Sequence, residues 1–473
     1  MASRRIAIVG SGLSGALAAH ALVQAGHEVT LYSDRSATQW LEESRPTGVA
    51  ARFELALGYE RELGLAHWEQ AAPKCTGVHL TFCPAPGNRL LTLSGRLATT
   101  HFQAIDLRLQ SHRWMVDLEA AGGRVVIEKI DLDRLDAIAA QHELVLVAGG
   151  RGPLAELFPR NAERSVYTAP QRKLAMVIVT GGRGAIEGLP FLPIKFNVFA
   201  PYGEVFWIPY FHRDHGPTVC VLFEAKPGTP MDRFDGCKSG ADAVEMTKTV
   251  VRELIPWDAA WVKDIELADR NGWLIGGVTP TVREPVGRLP SGRVVMPLGD
   301  TAMSLDPVAG QGANLGVKLV RHVVGAIARD PGAAFDAAWM TRTFEAFWAD
   351  HGARTVTFNN ALLEPLTPAG KLLLISQYGC DGASDTPKQR LANAIVENFA
   401  DPRRITSAFI DRRAAQRLVT ELTGHSWRRE LLGGALRVGS GQLRRVFGMA
   451  PSHPGAHPGA HPGADPGAAP PPR

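Results

Sequence analysis

The chain contains little of what would name its chemistry outright. Its five cysteines (Cys75, Cys83, Cys220, Cys237 and Cys380) are odd in number and include no Cys-x-x-Cys pair. That argues against a disulfide framework or a thiolate metal site, and for free thiols in a reducing cytoplasm. The histidines are scattered without ligand spacing, so no metal site is expected. A formal charge of +4 over 473 residues is too small to point to nucleic acid or an anionic membrane. No window approaches the uninterrupted apolar length of a spanning helix, and no Ser/His/Asp constellation stands out. What remains, 45% apolar and 21% charged residues, is the composition of an ordinary globular enzyme with room for two or three structural units.

What is present begins at residues 4–22, "RRIAIVGSGLSGALAAHAL". The basic start, apolar run and alanines resemble a secretory signal, but the same letters hold the Gly10-Ser11-Gly12-Leu13-Ser14-Gly15 turn of a dinucleotide-binding strand, turn and helix. The following residues decide between them. A helical pattern reaches Gly26 and an apolar second strand covers 29–32, so a βαβ unit is expected. Gly10 makes the tight turn, Gly12 lets a pyrophosphate approach, and Gly15 lets helix and strand pack, with the helix N-terminus facing the phosphates. The acid that usually closes the second strand is displaced: Ser33 takes its place and Asp34 follows. The adenosine end of the ligand is therefore expected to be held loosely.

The alternation of strands and helices is interrupted between 166 and 270 by strand-rich stretches such as "LAMVIVTGG" and "TVCVLFEAKPG", which read as an inserted β-sheet domain. The dinucleotide-binding domain accordingly divides into 1–165, with a short excursion into the second domain near 76–103, and 271–334. Residues 335–445 are helical in pattern. The remainder, 446–473, is a Pro/Gly/Ala repeat that cannot bury a core and is expected to be disordered; its His453, His457 and His461 are given no metal role.

A second motif follows the strand at 294–298: Gly299-Asp300, then Asp306-Pro307, then Gly310-Gln311-Gly312-Ala313-Asn314 opening another helix. A simple NAD enzyme has no need of it, whereas a flavoprotein does. Asp300 would bond a ribityl hydroxyl, and the Gly-rich turn would bring backbone amides and a helix N-terminus to the negative edge of a reduced flavin. The two motifs in this order point to FAD.

On these motifs, and on "IDLRLQSHRWMVDLEAAGG" (105–123), "GEVFWIP" (203–209), "IGGVTPTVREPVGRLPSGR" (275–293) and "SLDPVAGQGAN" (304–314), the chain resembles the two-component styrene and indole monooxygenases from residue 4 to about 420. The resemblance implies an α/β fold: a glutathione-reductase-type, Rossmann-like FAD-binding domain, an inserted β-sheet substrate domain over the isoalloxazine ring, and a helical C-terminal region. It also implies Arg45 and Arg108 near the FAD. The oxidant would be a flavin C4a-hydroperoxide, with no catalytic side chain. FADH2 would come from a separate, transiently bound NAD(P)H-dependent flavin reductase, and the partners would be O2 and an apolar, aromatic or unsaturated small molecule. A homodimer is left open.

The chain departs from the family where substrate is chosen. Styrene enzymes carry Asn-x-Val-x-His on the loop after the second strand and indole enzymes Ser-x-Gln-x-Met; here Thr47, Val49 and Ala51 stand there. Pocket candidates are these three with Phe196, Phe206 and Pro307. Phe199, Trp207 and Phe211 share the aromatic content of the inserted strands. A halogenase would require Trp-x-Trp-x-Ile-Pro, which reads Glu204-Val205-Phe206-Trp207-Ile208-Pro209. A single-component NAD(P)H aromatic hydroxylase stays as the alternative, although Gly149 occupies the place where those enzymes carry an acid. A non-enzymatic binding module is the third reading.

Overall fold

The computed structural model describes residues 3–98 and 100–446; the repeat that follows lies outside the described residues. In chain order the first unit runs β1 (Arg5–Val9), α1 (Leu13–Gln24), β2 (Glu28–Ser33), α2 (Ala37–Glu42), α3 (Glu54–Glu62), β3 (Gly77–Cys83), β4 (Leu91–Arg96), α4 (Leu107–Ala120), β5 (Arg124–Ile127), α5 (Leu132–Ala139) and β6 (Leu144–Val147). The middle contains β7 (Lys173–Thr180), β8 (Pro193–Phe199), β9 (Gly203–His212), β10 (Gly216–Ala225), α6 (Gly240–Leu254), β11 (Glu266–Leu267), β12 (Trp273–Gly277) and β13 (Thr281–Val282). Then come β14 (Gly287–Arg288), β15 (Val294–Pro297), β16 (Met303–Ser304) and the long α7 (Gly312–Arg329).

Two sheets carry the molecule. The first has the order β14-β15-β6-β1-β2-β5 and is parallel across β15, β6, β1, β2 and β5. Its central strands read as unbroken apolar runs because both faces are covered. Ile6 and Ile8 of β1 pack with α1 and α7, while Ala7 and Val9 pack with Leu135 and Ile138 of α5. The second sheet runs β11-β7-β10-β9-β8-β3-β4, with β12 also on β7. It is closed by β3 and β4 from the first third of the chain, β3 lying parallel to β8.

This second sheet is also buried on both faces, and the period of two sorts its aromatic residues. Phe196, Phe206, Ile208 and Tyr210 face the cofactor domain and the C-terminal helices. Phe199, Val205 and Trp207 face α6 and the turn at Pro256–Trp261. The C-terminal part is helical: Ala337–Phe347, Ala353–Leu363, Pro368–Gln377, Pro387–Ala400, Thr406–Ile410, Arg412–Thr423 and Trp427–Val446. Phe358 and Phe399 from this part stack edge-on against each other at 5.1 Å, and Phe399 meets Phe196 at 5.8 Å. The observed class is the mixed α/β arrangement expected from the sequence, with its inserted sheet and helical end. Among the described residues, no helix is long and apolar enough to cross a membrane.

Candidate cofactor and substrate site

The first glycine turn is built as its spacing requires. Gly10 has φ +112°, and a Cβ there would collide with the carbonyl of Ala148 at the end of β6. A Cβ on Gly15 would collide with the carbonyl of Gly10, whereas one on Gly12 would meet nothing within 4 Å. Two of the glycines are therefore demanded by packing, and the third faces open space above the N-terminus of α1. That terminus has Gly12 at its cap position and no side-chain cap, so its first amides are free to receive an anion. Leu13 and Ser14 lie half-buried beside it.

The second motif lands on the same cleft. A Cβ at Gly299 would meet Ser14, and one at Gly312 would lie 4.0 Å from Asp300 Oδ1. The segment from β15 to α7 is thus laid across the first turn. Asp300 is exposed, yet protein surrounds its crevice closely enough that desolvation raises its carboxyl above the ordinary aspartate value, with Arg151 pulling the other way. No protein donor reaches that carboxyl among the described residues. Beyond it, Gly310 takes a left-handed conformation (φ 62°), and α7 starts at Gly312 with no side-chain cap. Pro307, Gly310, Gly312 and Ala313 are each half-buried on the rim. Free amides at a helix N-terminus and an unpartnered carboxylate suit a flavin's negative ring edge and its ribityl hydroxyls. The residues present fit FAD.

The side-chain amides of Gln311 and Asn314, also expected at the cofactor, donate to the protein. The Gln311 amide donates to the carbonyls of Ala309 and Phe399. Asn314 accepts from the Phe53 amide at 2.8 Å and donates to Ala51 and Gly310. Both brace the turn from behind instead of meeting a ligand.

The adenosine end differs. Ser33 is buried, shares a 2.6 Å hydrogen bond with Ser11, and donates to the Arg35 carbonyl at 2.5 Å. The indole of Trp40 donates to Ser11 at 2.8 Å. Ser11 and Ser33 therefore lock the loop and offer a ribose nothing. Asp34 is clamped in two places by its neighbour, Arg35 Nε to Oδ1 at 3.0 Å and Nη2 to Oδ2 at 2.7 Å. That hydrogen bonding holds its carboxyl below the usual value.

Of the two arginines implied by resemblance, Arg45 is exposed and lies 4.4 Å over the ring of Trp273 on β12, within reach of a ligand from solvent. Arg108 does not join the cleft. It is fully buried, holding Asp106 at 2.7 Å and Asp269 at 2.7 Å, and it presents no surface to a ligand. Against their burial, His212 and Arg108 keep the Asp269 carboxyl low, as a structural ion pair requires. Arg108 was legible as an important position but not as this one, because Asp269 is 161 residues away.

The loop carrying the substrate candidates is unusual in backbone as well as in sequence. Ala50 adopts φ +48°, a conformation that costs a side-chain-bearing residue on the order of 1 kcal/mol and persists only where neighbours impose it. Here Arg52 donates to the Ala50 carbonyl at 2.7 Å and Asn314 holds Ala51 at 2.9 Å. Thr47 is exposed, Val49 half-buried and Ala51 buried. Val49 and Ala51 pack in the same apolar cluster as Phe196, Phe206, Val308 and Ala309, so the loop, the inner face of the sheet and the cofactor turn converge. Phe199 and Trp207 point away from it.

A family model described as the styrene monooxygenase A substrate-binding domain matches residues 150–260, and one for NAD(P)-binding Rossmann-like domains matches 8–56. The chain is 25% identical over 318 residues to styrene monooxygenase StyA of Pseudomonas fluorescens, an alignment spanning 66% of this chain and 74% of that protein. These matches support a flavin-dependent monooxygenase similar to the styrene monooxygenases. Solved structures share the fold at low identity. The flavin-dependent brominase Bmp2 superposes with a TM-score of 0.57 at 16% identity, over 76% of this chain and 87% of that one. The p-nitrophenol 4-monooxygenase PnpA of Pseudomonas putida DLL-E4 gives 0.53 at 14% identity, over 89% and 97%. That likeness implies a flavin cofactor. Two features escaped the sequence: Trp40, which nothing near it marks as a partner of the first turn, and Arg151. Arg151 was findable in principle, since it follows the carboxyl end of a central parallel strand, where ligands of such sheets bind.

Proposed function

We propose that this protein is the oxygenase of a two-component system, taking FADH2 from a separate NAD(P)H-dependent flavin reductase and adding one atom of O2 to an apolar, aromatic or unsaturated small molecule. Reduced flavin, when bound, supplies the activation of O2. The chain's own work is to hold, orient and exclude water. Free amides at Gly12 and at the start of α7 would hold the phosphates and the anionic ring, and Asp300 would accept from a ribityl hydroxyl. The apolar inner face of the sheet, Phe196 and Phe206 with Val49 and Ala51, would exclude water from the reacting part of the bound flavin.

The observation that carries this reading is the convergence of the turn at Pro307–Ala309, which leads into the uncapped start of α7, with that apolar face in one cluster. Gly149 supports the absence of a nicotinamide site: a Cβ there would meet nothing within 4 Å, and the residue brings no carboxylate to the end of β6. Thr47, Val49 and Ala51 depart from both known signatures, so the substrate need be neither styrene nor indole, and the oxygenation can be epoxidation or a related transfer. A protein fed by an NAD(P)H-dependent reductase works in the cytoplasm.

The test is to mix purified protein, FAD and NADH in air, with candidate substrate but no reductase. NADH absorbance should stay flat, and adding a flavin reductase should start oxygenation of alkenes, indoles or thioethers. Rapid, substrate-stimulated NADH loss without reductase would establish the single-component hydroxylase instead.

A further inference from the structure

Where the inserted sheet meets the cofactor turn lies a group of buried charges that the reading above does not use. Asp306 and Glu224 are each 0% exposed. Asp306 precedes the turn at Pro307–Ala309, and its Oδ1 accepts from the Val308 amide at 3.2 Å. Among the described residues its Oδ2 receives no donor, and neither does either oxygen of Glu224 on β10. The two carboxyls face each other within hydrogen-bonding reach.

The surrounding charges do not resolve this. Opposite Glu224 on β9 stands Glu204, which binds Arg172 through two hydrogen bonds of 2.8 and 3.1 Å. Arg172 also donates to the Leu363 carbonyl at 3.3 Å. It is the cation that faces both Asp306 and Glu224, and Glu204 already neutralises it. The other titratable group facing Asp306 is the phenol of Tyr167, which donates to Glu364 at 2.8 Å. Two adjoining ionised carboxylates in this interior would carry both a desolvation cost and their mutual repulsion, with no donor to offset either. One proton between them removes both, because a neutral acid donates to a carboxylate.

We propose that Glu224 and Asp306 share one proton and act as positioning residues, a clasp that fixes the 307–310 turn, and with it the edge of the flavin, against the sheet that roofs the substrate. The role at the flavin rests on the function proposed above; the shared proton does not. Burial, Asp306 and Glu204 all raise the Glu224 carboxyl well above the ordinary glutamate value. The sign follows. The folded protein keeps a proton that the unfolded chain releases, so the clasp's stabilisation is complete below the ordinary glutamate pKa and is lost as pH rises through the raised one.

Melting of the cofactor-free protein from pH 5 to 9 tests the proton. Glu224→Gln keeps a permanent donor to Asp306, so its Tm should gain on the wild type as pH rises, the gap widening by at least about 2 °C. Parallel curves for the two proteins would overturn the shared proton. Peroxide released per FADH2 consumed tests the positioning. It should rise with pH in the wild type, stay flat in Glu224→Gln, and be high at every pH in Glu224→Met, which fills the space without a hydrogen bond. Should the Met variant not fold, the wild type at pH 9 supplies the same broken clasp. An unchanged peroxide yield across these conditions would overturn the positioning role. If no protein, wild type included, consumes FADH2, the proposed function fails while the melting curves still judge the clasp.

Discussion

The two ends of the cofactor cleft are built on opposite principles. At the adenosine end, Ser11, Ser33, Trp40, Asp34 and Arg35 satisfy one another. At the flavin end, Asp300 has no donor among the described residues, and α7 begins without a side-chain cap. Among the other helices of the first two units, α2, α4, α5 and α6 start at Ser36, Asp106, Asp131 and Ser239, each accepting from its own first turn, and α3, which starts after Phe53, has no such cap. The helices that follow the two glycine turns, α1 and α7, both go without. A polar group left unpaired inside a fold costs stability, and a ligand that pairs with these groups at the flavin end would recover that cost. Both acids read from the sequence as ligand groups lie in this cleft, but only one of them is free.

The comparison can be broken most severely at the packing glycine. Gly15→Ala places a methyl group on the Gly10 carbonyl, backbone against backbone with nothing flexible to yield. It should destabilise the first βαβ unit by about 3 kcal/mol or more and abolish FAD binding, as read by circular dichroism and flavin titration. A folded Gly15→Ala protein with ordinary affinity would show that helix and strand are not held this close.

Asp300→Ala comes next. It should leave Tm unchanged, since no protein group loses a partner, and weaken FAD roughly tenfold to a hundredfold, the equivalent of about 1.5–3 kcal/mol for a hydrogen bond to a charged acceptor. Unchanged flavin titration would remove Asp300 from the site. The same residue predicts a pH effect. Burial raises its carboxyl, and the ionised form is the better acceptor, so wild-type affinity should fall on acidification at a higher pH than an ordinary aspartate would cause. Asp300→Asn should show no such slope.

Asp34→Ala should do least. Its partner is Arg35 at a half-exposed position, an ion pair of the kind worth about 1 kcal/mol or less, and FAD affinity should change less than about threefold. A loss as large as that of Asp300→Ala would mean the clamp opens for the ribose, and the contrast between the two ends would disappear.

These contrasts also explain what could be read from the sequence. The Gly10–Gly15 turn and the 299–314 segment were legible because each is local: strand, turn and helix follow one another, and the glycines carry their own steric reasons. The alternation of β9 allowed two sides for its aromatic residues without saying what covers each. Phe206 faces the cofactor domain and Trp207 faces α6 only because Phe358 and Phe399 arrive from the C-terminal helices on one side and Trp261, 5.2 Å from Trp207, on the other. Arg108 was misplaced for the same reason, since its burial depends on Asp269. Ser33 and Gln311 sit in the expected motifs, and only the partners they meet in the folded chain, the Ser11 hydroxyl and the carbonyls of Arg35, Ala309 and Phe399, turn them from ligand contacts into braces. Glu224 carries no local signal at all, because its meaning comes from Asp306, which reaches it only in the folded chain.

The clamp of Arg35 on Asp34 has a bearing on time as well as affinity. If reduced flavin arrives from another protein, the oxidised flavin must depart once per turnover, and its dissociation rate sets a ceiling on kcat. Each additional 1.4 kcal/mol of grip would lower that ceiling about tenfold, because affinity is tuned mainly through the off-rate. An aspartate freed to hold the ribose would tighten the cofactor and slow the cycle. By satisfying Asp34 within the protein, the loop leaves the residence time of the flavin to be governed from the ring end, where the chemistry takes place.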